Sequence, residues 1–359
     1  MAEEAYDLAV VGAGIVGLGH AAAAVERGLR VVVVERAASI AGASVRNFGH
    51  IGTTAHAGAA REHAERTREL WLRYAPRAAF WLRQTGTLIV ARTDEELAVL
   101  EEAGVGEPLT ARAVRGRAPV AHAVGGAFLP RDLQVDPREA APALARYLAR
   151  RGVEFRWRTT ATGVEPETVH TTRGAIAARG IVVAVNADVD QLLPDLAQRH
   201  GVVRCGLDMM LADGVGLGVP LLTGTSLLRY SAFASAPSAR ALRARLAADA
   251  PEVLERDVNQ MYAQRPDGTL LIGDTHYRDV TVAPFQDEEA FALLDRLTRA
   301  LFGRERLRIR ERWQGVYASG PHDFLRAEPV EGVRVVSVTS GIGMATGLGL
   351  AESVVAEMF

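Results

Sequence analysis

Lysine is absent from this chain of 359 residues, and cysteine occurs once, at Cys205. A single cysteine excludes an internal disulfide and every cysteine-rich zinc or iron–sulfur site. Without lysine, Arg is the only strong side-chain cation, and its planar fork is suited to gripping an oxyanion through two parallel bonds. Aromatic residues make up only 6%, and no apolar run reaches the length that spans a bilayer. The formal net charge of −2 gives no long-range attraction for nucleic acid or an anionic membrane, so neither is expected as a partner. The first residues, MAEEAYDLAVVGAG, are acidic and enter a strand at once, without a basic n-region and cleavage site. A cytoplasmic protein is the expectation. Paired carboxylates, a serine triad and a metal cluster are missing as patterns; Asp274 and His276 alone do not make a metal site.

What is present is enough apolar residue, 48%, to fill two cores, and a chain too long for one. Residues 6–36, YDLAVVGAGIVGLGHAAAAVERGLRVVVVER, read as a buried strand, a glycine turn, an Ala-rich helix and a second strand closed by an acid. Gly12, Gly14 and Gly17 have the G-x-G-x-x-G spacing, with Ala13, Ile15 and Val16 between them. That spacing alone is weak evidence. With a strand before it, a helix after it and Glu35 closing the next strand, it predicts a dinucleotide fold. Gly12 permits the tight turn, Gly14 lets backbone approach a pyrophosphate, Gly17 allows close helix packing, and the helix start favours phosphate charge. Glu35, followed by Arg36, would accept hydrogen bonds from an adenosine ribose and disfavour a 2′-phosphate.

Residues 57–84 read as an amphipathic helix whose Trp71, Tyr74, Phe80 and Trp81 belong to a core rather than a ligand cage. A strand over 85–91, a helix over 94–103, an extended return over 126–137 and a helix over 137–151 follow. Short strands and a hairpin then lead to a buried strand over 181–186. Residues 205–302 change texture: alternating segments, with Pro266-Asp267-Gly268 as a hairpin turn, predict an antiparallel sheet closed by a helix over 287–302. The final VRVVSVTSGIGMATGLGLAESVVAEMF gives a strand, a glycine turn and a terminal helix that rejoin the first unit. The expected class is α/β (α+β). A Rossmann-like unit with a parallel sheet is assigned to 1–84, 138–204 and 310–359, and a mostly antiparallel unit to 85–137 and 205–309.

One loop stands apart. ASVRNFGHIG, residues 43–52, sets Arg46, Asn47 and His50 among small residues, where backbone can approach a ligand closely. It is built to hold something flat and polar.

The N-terminal VVGAGIVGLG, the acid ending the second strand, the GAS-x-R loop and the C-terminal SGIGMATGLGLAE together resemble the FAD-dependent amino-acid oxidase superfamily, which includes glycine oxidase, sarcosine oxidase and D-amino-acid oxidase. The likeness extends over nearly the whole chain. Within it, SVRNFGH, SLLRYSAFA, QRPDGTLLIGDTH, RWQGVYAS and SGIGMATGLGLAE are similar to a subgroup associated with phosphonate catabolism.

The resemblance implies a Rossmann-like FAD-binding domain and a substrate domain. It places the pyrophosphate at Gly12, Ala13, Gly14, Ile15, Val16 and Gly17, and the ribose at Glu35 with Arg36. Val164 would meet the adenine through its backbone, and Ala184 and Asn186 would line the same crevice. Ser44, Val45, Arg46, Asn47, Gly49 and His50 would run beside the isoalloxazine, with Gly315 near it. Gly341, Ile342, Gly343, Met344, Ala345 and Thr346 would cover the opposite end, their N–H groups and helix start stabilising negative charge on the N1–C2=O side.

The implied reaction is oxidation of a small amine: hydride passes from the amine-bearing carbon to flavin N5, and the imine hydrolyses. Aminoalkylphosphonates are the preferred substrate class; a glycine-, sarcosine- or D-amino-acid oxidase and a non-catalytic FAD-binding sensor are the alternatives. Glycine-oxidase-like members carry an Arg after W-x-G, where this chain has Tyr317, so an α-amino acid loses its expected anchor. Cys205 lies in a different segment from the cysteine through which sarcosine oxidases attach FAD, which predicts non-covalent FAD. The lysine those enzymes use for oxygen is missing, so reaction with oxygen rests on Arg46, His50 or His276, or passes to another electron acceptor.

For the anionic end of a substrate the candidates are Arg229, Tyr230, Tyr262 and Tyr317. Trp313 reads as a pocket wall or a core tryptophan, and Arg229 as an anion anchor or a surface residue. His50 reads either as the group that takes the ammonium proton or as one that only hydrogen-bonds. His276 competes with a solvated turn histidine.

Overall fold

The structure, a computed structural model, describes residues 5–359. Five strands, Glu154–Trp157, Val31–Glu35, Tyr6–Val11, Gly174–Val183 and Val333–Ser340, lie side by side in that order with every pair parallel. Their period of two divides the apolar residues between the faces. Leu8, Val10, Val31 and Val33 meet the helices Ile15–Glu26, Gly58–Ala78, Pro137–Arg150 and Gly343–Met358. Ala9, Val11, Val32 and Val34 pack on the other face with Val169, Ile176 and Leu196.

The strand Ile309–Val330 then carries the hydrogen bonding into a second region. Its later residues run antiparallel to Val333–Ser340, and its earlier ones antiparallel to Val203–Ala212. Beyond lie Leu270–Gly273, Gln260–Gln264 and Leu221–Thr223, antiparallel to one another in turn, then Thr87–Ala91, parallel to Leu221–Thr223, and Gly125–Leu129 and Glu107–Thr110, again antiparallel. The result is one continuous 16-stranded sheet, parallel at one end and mostly antiparallel at the other. Helix Glu288–Phe302 buries Phe291, Leu294 and Phe302 against one face of the antiparallel region, and Met209, Met261 and Phe233 fill the opposite face.

Several boundaries differ from those read in the sequence. The helix expected over 57–84 ends at Ala78, because Ala79 turns left-handed (φ 54°) and donates its N–H to the Ala75 carbonyl. Leu82–Arg83 instead pairs with Leu133–Val135, which also pairs with His50–Ile51. Leu133 and Val135 thereby join the core of the parallel region, although they fall within 85–137. The buried strand expected over 181–186 starts at Gly174 and ends at Val183. Trp71, Tyr74 and Phe80 are core residues, and Trp71 Nε1 donates to the Met344 carbonyl at 2.9 Å. Among the described residues no helix is long and apolar enough to cross a membrane, and no group of three or more His, Cys, Asp or Glu could hold a metal ion.

Candidate functional site

The glycine turn between Val11 and Ile15 is built around close approach. Gly12 adopts φ +104°, and a Cβ there would lie 2.5 Å from the Ala184 carbonyl oxygen. A Cβ on Gly17 would lie 1.9 Å from the Gly12 oxygen, so only glycine lets the helix start this near the strand. No side chain caps the helix at Gly14, and no acid occupies its first turn. Its leading N–H groups are met from elsewhere: Ala13 donates to Glu35 Oε2 (2.9 Å) and Ile15 to Ser44 Oγ (2.8 Å). Glu35 Oε1 also accepts from Ala37 N–H, fixing the carboxylate at the strand end over the turn. A positive helix end, a bare glycine turn and a fixed acid form a cradle that fits a dinucleotide. Ala184 closes its far side by donating to the Val11 carbonyl. Asn186 is committed to the fold: its Oδ1 accepts from Ala318 N–H and its Nδ2 faces the Val316 carbonyl. Arg36 pairs with Asp188 at the rim, and Val164 sits half-buried on Ala161–Glu165.

Across the crevice, Gly341 turns at φ +79° into helix Gly343–Met358, whose start also lacks a side-chain cap and acidic residues. Thr346 Oγ1 donates back to the Ile342 carbonyl. Ala345 is packed inside and Met344 lies in the core, so this segment presents backbone.

The 43–52 loop is held internally. Asn47 Nδ2 donates to the Ala43 carbonyl and its Oδ1 accepts from Gly49 N–H, so both ends of this side chain are used by the loop itself. Arg46 is exposed and donates to the Gln314 carbonyl, while Trp313 Nε1 approaches the Arg46 carbonyl at 3.5 Å and the Arg138 guanidinium lies over the Trp313 ring. Trp313 and Gly315 thus brace the loop, Gly315 lying close under Arg46 and Leu207. Val45 packs on the main core.

His50 points inward. Its Nε2 lies 2.7 Å from Thr87 Oγ1 and 3.3 Å from Asp132 Oδ2, and Asp132 Oδ1 accepts from the N–H groups of Thr53 and Thr54. Burial works against the Asp132 carboxylate, but the His50 bond and charge and the Thr53 N–H outweigh it and hold the group below its ordinary value. Nearby His56 is buried, and burial together with the His50 charge pushes it down to about 4.

On the antiparallel side a cavity of about 370 Å³ opens beside Tyr317. Arg229 Nη2 donates to the Tyr317 hydroxyl at 2.9 Å, and a Cβ on Gly341 would meet the same ring at 3.0 Å. Asp257 is shared, 3.4 Å from Arg229 Nη1 and 2.8 Å from Arg278 Nη1. Burial opposes the charge on Arg229, but Tyr317, Asp274 and Asp257 more than compensate and hold it protonated. Burial raises the Tyr317 hydroxyl against the pull of Arg229.

Behind this cavity His276 is buried, not solvated. Its Nδ1–H donates to the Asp257 carbonyl and its Nε2 lies 3.5 Å from Asp274. Burial, reinforced by Arg229, holds the imidazole well below its ordinary value, and burial pushes Asp274 up to about 7 against Arg229 and Asn259. With the ring held neutral by burial, Nδ1 committed to the Asp257 carbonyl and Nε2 turned toward Asp274, His276 is placed to position its neighbours rather than to face the crevice as a solvated turn histidine would. Tyr262 leaves the substrate-lining set. It is 1% exposed, with its ring 5.2 Å from Phe302 in the core under helix Glu288–Phe302. Tyr230 lies on the opposite face, its hydroxyl 3.7 Å from Met261 Sδ and raised to about 12 by burial. Thr87, Asp132, His56, Asp257, Arg243 and Arg278, all joined to the site by the fold, carried no local signal.

A nucleotide cradle at the strand ends of a parallel sheet, facing an arginine-lined cavity on an antiparallel one, defines a two-part cofactor-dependent enzyme. The sequence pattern of the FAD dependent oxidoreductase family matches residues 7–358, and the chain belongs to that family. It is an FAD-dependent oxidoreductase. Glycine oxidase from Geobacillus kaustophilus is similar in structure at TM-score 0.79 and 20% identity, over 99% of this chain and 95% of that one. L-proline dehydrogenase from P. horikoshii gives 0.80 and 19% over 98% and 92%, and L-alpha-glycerophosphate oxidase from Mycoplasma pneumoniae with FAD bound gives 0.74 and 18% over 99% and 94%. No curated protein matches in sequence.

Proposed function

We propose that the chain oxidises a small amine bearing an anionic group, with aminoalkylphosphonates as the preferred class. Amino-acid oxidation is the activity in the names of several structural neighbours, which supports the reaction type. The observation that carries the substrate class is Arg229. Where the resemblance implies a carboxylate-binding Arg this chain has Tyr317, and Arg229 reaches the Tyr317 hydroxyl at 2.9 Å from a different segment. Arg278 and Arg243 line the same cavity, which supports an anion of higher charge than a carboxylate.

When bound, FAD supplies the acceptor for the electron pair that leaves the amine-bearing carbon as hydride. The protein's part is to hold the amine neutral, aligned and dry. Arg229 and Tyr317 anchor the anionic end, which directs the amine end toward the crevice between Ser44–His50 and Gly341–Met344. His50 is the residue assigned to the ammonium proton, which only its neutral form can take, at Nδ1, the nitrogen without a partner among the described residues, while Asp132 and Thr87 orient it through Nε2. Water then adds to the imine and releases an aldehyde and ammonia, or a primary amine where an N-methyl group is removed. Burial keeps the Cys205 thiol up and the residue enclosed, consistent with FAD held without a covalent bond.

Product analysis tests this reading. Holoprotein given 2-aminoethylphosphonate, its 1-hydroxy and N-methyl derivatives and a dye acceptor is expected to release aldehyde and nitrogen product in step with dye reduction. Dye reduction by glycine or sarcosine alone overturns the substrate class.

A further inference from the structure

Resting on that reading of the substrate, the geometry points to the cavity beside Tyr317 as a subsite for a tetrahedral, doubly charged phosphono or phospho group, gripped by Arg229, Arg278 and Arg243 and by the hydroxyls of Thr225 and Ser340. Three guanidiniums line this space against one carboxylate, Asp257. Arg243 has no acidic partner among the described residues, so the three guanidiniums outnumber the carboxylates near them, Asp257 in the cavity and Asp274 behind Arg229. A dianion supplies more charge to these donors than a carboxylate does.

The hydroxyls supply independent evidence. Thr225 is 4% exposed, and its Oγ1 and the Oγ of Ser340 are enclosed without a hydrogen-bond partner. Both residues line the same cavity as the arginines. Leaving a buried hydroxyl without a bond is costly, and an acceptor-rich ligand removes that cost at two positions together. A phosphono group has three oxygens to share among these donors, where a carboxylate has two. In the free protein Asp257 stands in for the ligand: it is 2.8 Å from Arg278 and a longer 3.4 Å from Arg229. The arginines exchange Asp257 for the incoming group, whose greater charge drives the exchange.

The test is calorimetry on the holoprotein at pH 8 with methylphosphonate, methyl phosphate and acetate, none of which is an amine. Methylphosphonate and methyl phosphate are expected to bind, and acetate at least about tenfold more weakly. Their ratio to each other tells a C–P from an ester source, and a dianion preference of either kind supports the subsite. Thr225→Val and Arg243→Ala, with FAD content and melting temperature as folding controls, are each expected to weaken methylphosphonate by about tenfold. Acetate binding as tightly as methylphosphonate, or both variants binding like the parent, overturns the assignment. Failure of amines to reduce the flavin would count against the proposed reaction and leave this binding result standing, so the two are separable.

Discussion

Gly17 and Asp274 show how much single atoms decide. A methyl group on Gly17 has no room, since it would meet the Gly12 carbonyl at 1.9 Å. Gly17→Ala is expected to cost about 3 kcal/mol or more and to strip flavin from the purified protein, read by melting temperature and the flavin-to-protein absorbance ratio. Asp274 carries a pH dependence. Its carboxyl is raised to about 7 in the folded state from about 4 unfolded, so the folded state binds the extra proton between those values. The stability it contributes is present below about pH 4 and is lost as pH rises through about 7. Asp274→Asn, which mimics the protonated carboxyl toward Asn259 and His276, is expected to raise the melting temperature at pH 8 and to lose that advantage toward pH 4. An advantage that grew on acidification would contradict the burial argument. The glycines and Glu35 were readable in sequence because their roles are local and lie within one strand–turn–helix–strand unit. Asp274 was visible only as a residue, since its protonation is set by Arg229 and Asn259, remote in sequence and brought near by folding.

Strand parity explains the sharpest misreading. In Gln260–Gln264 adjacent side chains go to opposite faces, so Met261 meets Tyr230 while Tyr262 meets Phe302. A sequence gives the alternation and withholds which face is the site. Tyr262→Phe is accordingly expected to leave KM for the substrate unchanged, whereas Arg229→Met should raise it at least about tenfold. Steady-state kinetics on the two variants measures both. The loop after the second parallel strand is the element whose composition was most informative, yet its residues divide differently from expectation. Asn47 braces the loop, Arg46 faces outward to Gln314, and His50 turns in to Asp132. Ser44 links it to the nucleotide helix through Ile15 N–H, and Ser44→Ala is expected to cost about 1 kcal/mol and to weaken FAD retention together.

At the scale of the molecule, the parallel and antiparallel regions were legible from hydrophobic pattern and turn chemistry, while their joining was not. Ile309–Val330 serves both, a continuity no local pattern announces. A buried ion pair reinforces it: Arg265, just before the Pro266-Asp267-Gly268 turn, donates twice to Asp136 Oδ2, and Asp136 Oδ1 caps helix Pro137–Arg150. Asp136→Ala removes the cap and one of the two carboxylates that hold the Arg265 guanidinium, Asp267 remaining, and a loss of about 1–2 kcal/mol is expected in denaturant unfolding. The proposed site depends on that joint, since Arg229 and Tyr317 come from the antiparallel region and the nucleotide cradle from the parallel one. The most direct measurement is the anaerobic absorbance spectrum of the holoprotein during titration with 2-aminoethylphosphonate, glycine and sarcosine, repeated on Arg229→Met. The account predicts that the aminophosphonate bleaches the flavin band and that the variant needs at least about tenfold more of it. Bleaching by glycine or sarcosine with the phosphonate inert, or a variant indistinguishable from the parent, would contradict it.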